Sequence, residues 1–147
     1  MDIPLEVRIP ICIGQGSVFN FFIDFGDAKR QSKNRYFVIL NRNPKTDRAL
    51  VLVTSTTQVV KKRNFINRAG ISEKTIVEVN AGEYCVFKND SAFNCNEVFE
   101  VSMSDLIRKI ENGGSMGYPK IPEPILLKLI NGVKESTVVT EEIKALL

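Results

Sequence analysis

The spacing of apolar and polar positions divides this chain into a strand-rich body and a helical end. Residues 16–25 (GSVFNFFIDF) are dense in aromatic and β-branched side chains and stop at Gly26 and Asp27, which predicts a first strand. A polar, basic stretch follows over 27–34. Residues 36–40 form a short apolar run closed by the turn-rich segment 41–47 (NRNPKTD), and 50–57 predicts the next strand, so the two are expected to pair as a hairpin. Residues 75–79 alternate Ile and Val with polar partners, 84–87 is another short apolar run, and 97–101 (EVFEV) alternates again. Short strands with turn signals between them suit a small closed barrel better than a parallel sheet with crossover helices.

Beyond residue 102 the period lengthens. Ser104 offers a hydroxyl N-cap to a helix with Leu106, Ile107 and Ile110 on one face and Gly113 as its stop. Pro122 and Pro124 suit the first turn of a second helix that runs through Leu126, Leu127 and Ile130 to about Gly132, and Thr140 caps a last short one. With 147 residues, 44% of them hydrophobic, and no break in composition, the chain is expected to form one domain over 1–147. Residues 16–112 would make the barrel and first helix, and 118–147 a helical tail.

Charge changes the picture more by its placement than by its sum. The formal net charge is +3, yet residues 29–68 hold eleven Lys or Arg against one acid, Asp47. Folded onto one face, that segment would either track a phosphate backbone, with Lys29, Arg30, Lys33, Lys61, Lys62 and Arg63 as the RNA-binding candidates, or form a solvated basic face. Histidine is absent. Ser-His-Asp, Cys-His and two-histidine ribonuclease mechanisms are therefore excluded, and chemistry falls to carboxylates, Arg, Lys, Tyr or hydroxyls. Cys12, Cys85 and Cys95 are odd in number and lack metal-ligand spacing, so neither a disulfide framework nor a metal site is indicated, and no cofactor is expected. No apolar run reaches membrane-spanning length and the N-terminus lacks a signal-peptide pattern, which predicts a cytoplasmic protein with no membrane partner.

One juxtaposition carries candidate chemistry. Arg35 stands at the mouth of one predicted strand, and hydroxyls crowd the far end of the next over 54–57. A fixed cation beside hydroxyl donors suits a site that holds and strains a phosphodiester, because negative charge builds on the phosphoryl oxygens in the transition state.

The order of these pieces resembles the PemK/MazF-like toxin family of SH3-like small β-barrels. Gly16 to Phe19 is similar to the family's opening glycine and first strand, and 25–34 to its mobile loop. Residues 33–40 stand where the family has an arginine and then an apolar strand, and Leu52 to Ser55 where its next strand ends in Thr-Ser. Residues 77–80, 89–91 and 97–108 resemble the later strands and the helix that follows. Tyr36 departs from the family's usual proline, and 59–74 is a longer, more basic connection.

The resemblance implies the toxin of a type II toxin-antitoxin pair, a homodimer that cleaves single-stranded RNA without metal and is restrained by a cognate antitoxin protein. Carried onto this sequence, Arg35 holds the phosphate bidentately, and Thr54 donates a hydroxyl hydrogen bond to it. Ser55 is the alternative to Thr54, since side chains alternate across a strand and only one of the two faces the site. Asp24 or Asp27 beside the mobile loop is the candidate base, and Asn89 and Ser91 would help orient the substrate. Two other readings stay open: an SH3-like module that binds RNA or protein without catalysis, and an interaction domain whose helical tail docks a partner.

Overall fold

The computed structural model describes residues 3–23 and 33–147. Their order is α1 (Leu5–Cys12), β1 (Val18–Ile23), β2 (Lys33–Ile39), β3 (Leu50–Thr56), α2 (Val59–Ala69), a 3-10 turn (Glu73–Thr75), β4 (Ile76–Val79), β5 (Ser91–Asn94), β6 (Phe99–Val101), α3 (Met103–Glu111), α4 (Glu123–Glu135) and α5 (Glu141–Lys144). None of these helices is long and apolar enough to cross a membrane.

All strand pairs are antiparallel, and the sheet runs β1-β2-β3-β5-β4 with β6 also on β3. β3 is its axis. One edge pairs with β2 (Phe37 with Thr54, Ile39 with Leu52), while the other takes β6 at Leu50–Leu52 and β5 at Ser55 and Thr56. Thr56 lies opposite Ala92 but Leu52 opposite Phe99, so the β5–β6 side spends three more residues than β3 over the same span. That excess is the turn around Cys95, and it bends the ladder.

Every residue of β3 is buried because both sheet faces are covered. On one face Val38, Leu40, Val51 and Val53 pack with Ile125, Leu129 and Val133 of α4; on the other Phe37, Ile39, Leu50 and Leu52 pack with Ile9 of α1 and Leu106 and Ile110 of α3. The period-2 pattern thus supplies two cores, one to each face. Gly132 lets α4 come close, since a Cβ there would stand 2.8 Å from the Lys74 carbonyl oxygen and 2.8 Å from the Cys95 Sγ.

The β2–β3 hairpin is pinned by a buried amide. Asn41 accepts from the Val51 N–H at 2.6 Å and donates to the Ala49 carbonyl at 2.9 Å and to Asp47 Oδ2 at 3.0 Å. Satisfied in this way, a group that would be costly to bury holds the register.

Several expectations need correction. The sheet is open, not a closed barrel: among the described residues β1 and β4 do not pair, and β1's outer edge is occupied by residue 115, with Asn20 and Ser115 exchanging backbone hydrogen bonds. Helices lie before and within the sheet as well as after it, so the architecture is mixed α/β. Residues 84–87 form a turn rather than a strand, with Tyr84 and Phe87 reaching the core from a loop. The N-cap of α3 is Ser102, whose hydroxyl accepts from the Asp105 N–H, not Ser104.

Candidate functional site

Arg35 occupies the outer part of β2, between Lys33 and the buried run that begins at Phe37. Alternation sends its side chain to the face of Phe37 and Ile39, opposite to Tyr36. Continuing the β2–β3 register by two residues beyond the Phe37–Thr54 pair sets Arg35 across from Thr56. The guanidinium also reaches the bend of β3, donating from Nη1 to the Ser55 carbonyl at 3.3 Å.

Two grooves meet at this point. The first, about 330 Å³, is lined by Lys33, Asn34 and Arg35 of β2, by residues 55–57 at the end of β3, and by Lys88, Asn89 and Ser91, with Tyr36 and Phe87 also in its lining. The second, about 880 Å³, runs past α2 toward α5 and is lined by Gln58, Lys61, Lys62 and Phe65 as well as Asn94, Glu97, Val138 and Ile143. Lys33, Arg35 and Thr56 line both.

Thr56 is well placed to donate. Its Oγ1 accepts from the Gln58 N–H at 3.2 Å, so the hydroxyl hydrogen can be given to an anion held by Arg35. Thr54 lies two residues deeper on the same face. Its hydroxyl donates to the Tyr36 carbonyl at 2.9 Å, and it lines neither groove. Ser55, Asn89 and Ser91 line the first groove as well. Asp24, Asp27, Lys29 and Arg30 lie outside the described residues.

The basic run on α2 divides. Lys61 and Lys62 line the larger groove, whereas Arg63 turns to Glu78 on β4 and forms an exposed ion pair. Among the described residues no carboxylate lines the first groove, and Glu97 lines the second. Among the described residues no cluster of three or more Cys, Asp or Glu is placed to hold a metal ion.

Aromatic rings back the first groove. The Tyr36 ring lies 5.4 Å from those of Phe87 and Tyr118, centroid to centroid, and Tyr84 stacks edge-on against Phe87 at 5.1 Å. Burial raises the Tyr36 phenol above its ordinary value, and neighbouring Tyr118 adds to the effect. Tyr36 therefore stays neutral and serves as a donor or a stacking surface near neutral pH.

Thr56, Lys88 and the Tyr36–Phe87 pair escaped the sequence reading. Thr56 was recoverable from register: antiparallel pairing makes partner numbers sum to a constant, and hairpin geometry that fixes one pair fixes Arg35 with Thr56. Lys88 and Phe87 sit on a loop that no hydrophobic period describes.

No protein-family model matches this chain, and no curated protein matches it. The geometry of the two grooves is what functional assignment has to stand on.

Proposed function

We propose that the protein binds single-stranded RNA through Arg35 and cleaves it without metal, as an SH3-like, PemK/MazF-like endoribonuclease. One observation carries the reading: the Arg35 guanidinium, which donates to the Ser55 carbonyl, lines both of two lysine-bearing grooves together with Thr56. The passage of β3 from the β2 and β6 ladders to that of β5 supports kinship with small barrels in which one bent strand serves two sheets. Lysines supply the electrostatic attraction, and the exposed Phe65 ring and the half-buried Tyr36 ring supply stacking surfaces for unpaired bases.

In this reading the ribose 2′-hydroxyl attacks the adjacent phosphorus and the P–O5′ bond breaks, leaving a 2′,3′-cyclic phosphate and a 5′-hydroxyl. The 2′ proton passes to a base and a proton is delivered to the departing 5′ oxygen. Arg35 holds two non-bridging oxygens as their charge grows, and Thr56, or its neighbour Ser55, donates to one of them. Asp24 and Asp27 remain the candidates for the base. The biological setting this implies is a homodimeric toxin paired with an antitoxin protein that covers the groove.

A second reading is favoured by one feature. The described lining of the first groove presents cations, hydroxyls and aromatic rings, and the chain has no histidine, a make-up that also suits a binding module without chemistry.

Incubation of a long mixed-sequence RNA with the protein in EDTA separates the two. Catalysis predicts discrete fragments from the wild type and about a hundredfold loss of rate for Arg35→Ala. Intact RNA with both proteins, together with a salt-sensitive shift of the RNA on a native gel, would replace the nuclease with the binding module.

A further inference from the structure

The larger groove has a composition that the phosphate site alone does not require. Gln58, Lys61, Lys62 and Phe65 all line it, and their spacing of i, i+3, i+4 and i+7 places them on one face of α2. Phe65 sits at the end of that face with half of its surface exposed (51%), although the helix buries Ile66 right beside it. Lys61 and Lys62 occupy the first turn of α2, where the helix dipole disfavours cations, and no side chain caps that end. Neither the exposed ring nor lysines in a first turn follows the usual preferences of a packed, stable helix.

We propose that the α2 face is a nucleobase subsite: Phe65 stacks a base of the same RNA strand whose phosphate Arg35 holds, and Lys61 and Lys62 follow the intervening backbone. The inference rests on the RNA reading above and deepens it. Two observations select RNA as the occupant. Lys33, Arg35 and Thr56 line both grooves, so the second groove begins at the residues that would anchor a strand in the first. The cations along that path also match a polyanion with one charge per nucleotide, and a flat exposed ring beside them offers a π-face to any base. The strand would therefore occupy both grooves at once, and affinity would rise with oligonucleotide length until the α2 face is filled.

The test uses the full chain and a fluorescein-labelled 2′-O-methyl dodecauridylate, which lacks the attacking hydroxyl and stays intact. Phe65→Ala should weaken binding about five- to hundredfold, the value of one base–aromatic stack. Phe65→Trp should bind as the wild type does, with its indole fluorescence quenched when the oligonucleotide is added. Equal binding by wild type and Phe65→Ala, with Arg35→Ala still weakened, would overturn the α2 subsite and leave the Arg35 site standing. No binding by the wild type would overturn both. Capture of an acidic amphipathic peptide by the wild type but not by Phe65→Ala, with oligonucleotide affinity unchanged between them, would make the groove a protein-docking site and also overturn the proposal.

Discussion

Helices α2 and α4 are of similar length and opposite design. α4 buries Ile125, Leu129, Ile130, Gly132 and Val133, begins with glutamate and proline in its first turn, and approaches the 3-10 turn so closely that only glycine fits at 132. α2 buries Ile66 alone, begins with an uncapped turn bearing Lys61 and Lys62, and leaves Val60 and Phe65 exposed. Both helices lack a side-chain cap, and α4 leaves Leu127 exposed. But α4 buries five residues and carries Glu123 in its first turn, whereas α2 buries one, has no acid there and bears lysines beside an exposed ring. Elements that depart from local rules without a gain in packing are where function is expected to reside.

The largest effect should come from α4. Leu129 is fully buried against the sheet, so Leu129→Ala is expected to cost about 3 kcal/mol and to lower the thermal midpoint by roughly 6–12 °C. Phe65→Ala on α2 should change stability by no more than about 0.5 kcal/mol, as exposed positions usually do. Thermal unfolding of the two variants beside the wild type reads both values. Comparable losses would mean that α2 is as much a part of the core as α4, and the contrast would fail.

The same contrast explains what the sequence disclosed. α4 was legible because prolines open it and apolar residues repeat on one face; α2 was read as a basic connection because one buried position creates no period. β1, β2 and β3 were legible from dense β-branched and aromatic runs, and the β2–β3 hairpin from its turn residues. α1 was missed because Pro10 interrupts it and Ile9 is its single buried residue. The open sheet could not be foreseen, since edge-capping by Ser115 is a contact across nearly a hundred positions of sequence. For the candidate site, Arg35 was singled out by its expected position at a strand mouth. Thr54 was favoured over Thr56 because a Thr-Ser pair was matched to a family pattern, while cross-strand register is what decides which hydroxyl stands opposite the guanidinium.

A smaller effect should appear in alkali at the foot of α4. Cys95, packed against Gly132, is fully buried, and burial pushes its thiol up to about 12 from an ordinary 9.0. Between those values the unfolded chain releases a proton that the folded chain keeps, so this contribution is complete below pH 9 and is lost as pH rises toward 12. The slope is at most about 1.4 kcal/mol per pH unit. Urea midpoints measured from pH 8 to 11 should fall more steeply for wild type than for Cys95→Ala. Tyr84, also held above its ordinary value by burial, leaves a residual slope above pH 10 in both. Parallel curves would show that water reaches Cys95 and that the α4 seam is looser than its packing suggests.

The smallest effect concerns the ion pair that ties α2 to β4. Arg63 and Glu78 keep 57% and 38% of their side-chain surface exposed, so Arg63→Ala should cost about 0.2–1 kcal/mol. Its value lies in what it should leave unchanged. Arg63 lines neither groove, so its removal should not alter the dependence of dodecauridylate binding on salt. Lys61→Ala should reduce the slope of log K against log salt by about 0.7, the contribution of one phosphate contact on a single strand. Equal slopes for the two variants would mean that the basic turn acts through its summed field. Unequal slopes would mean that the helix sorts adjacent cations by face, one to hold the fold and its neighbours to hold the strand.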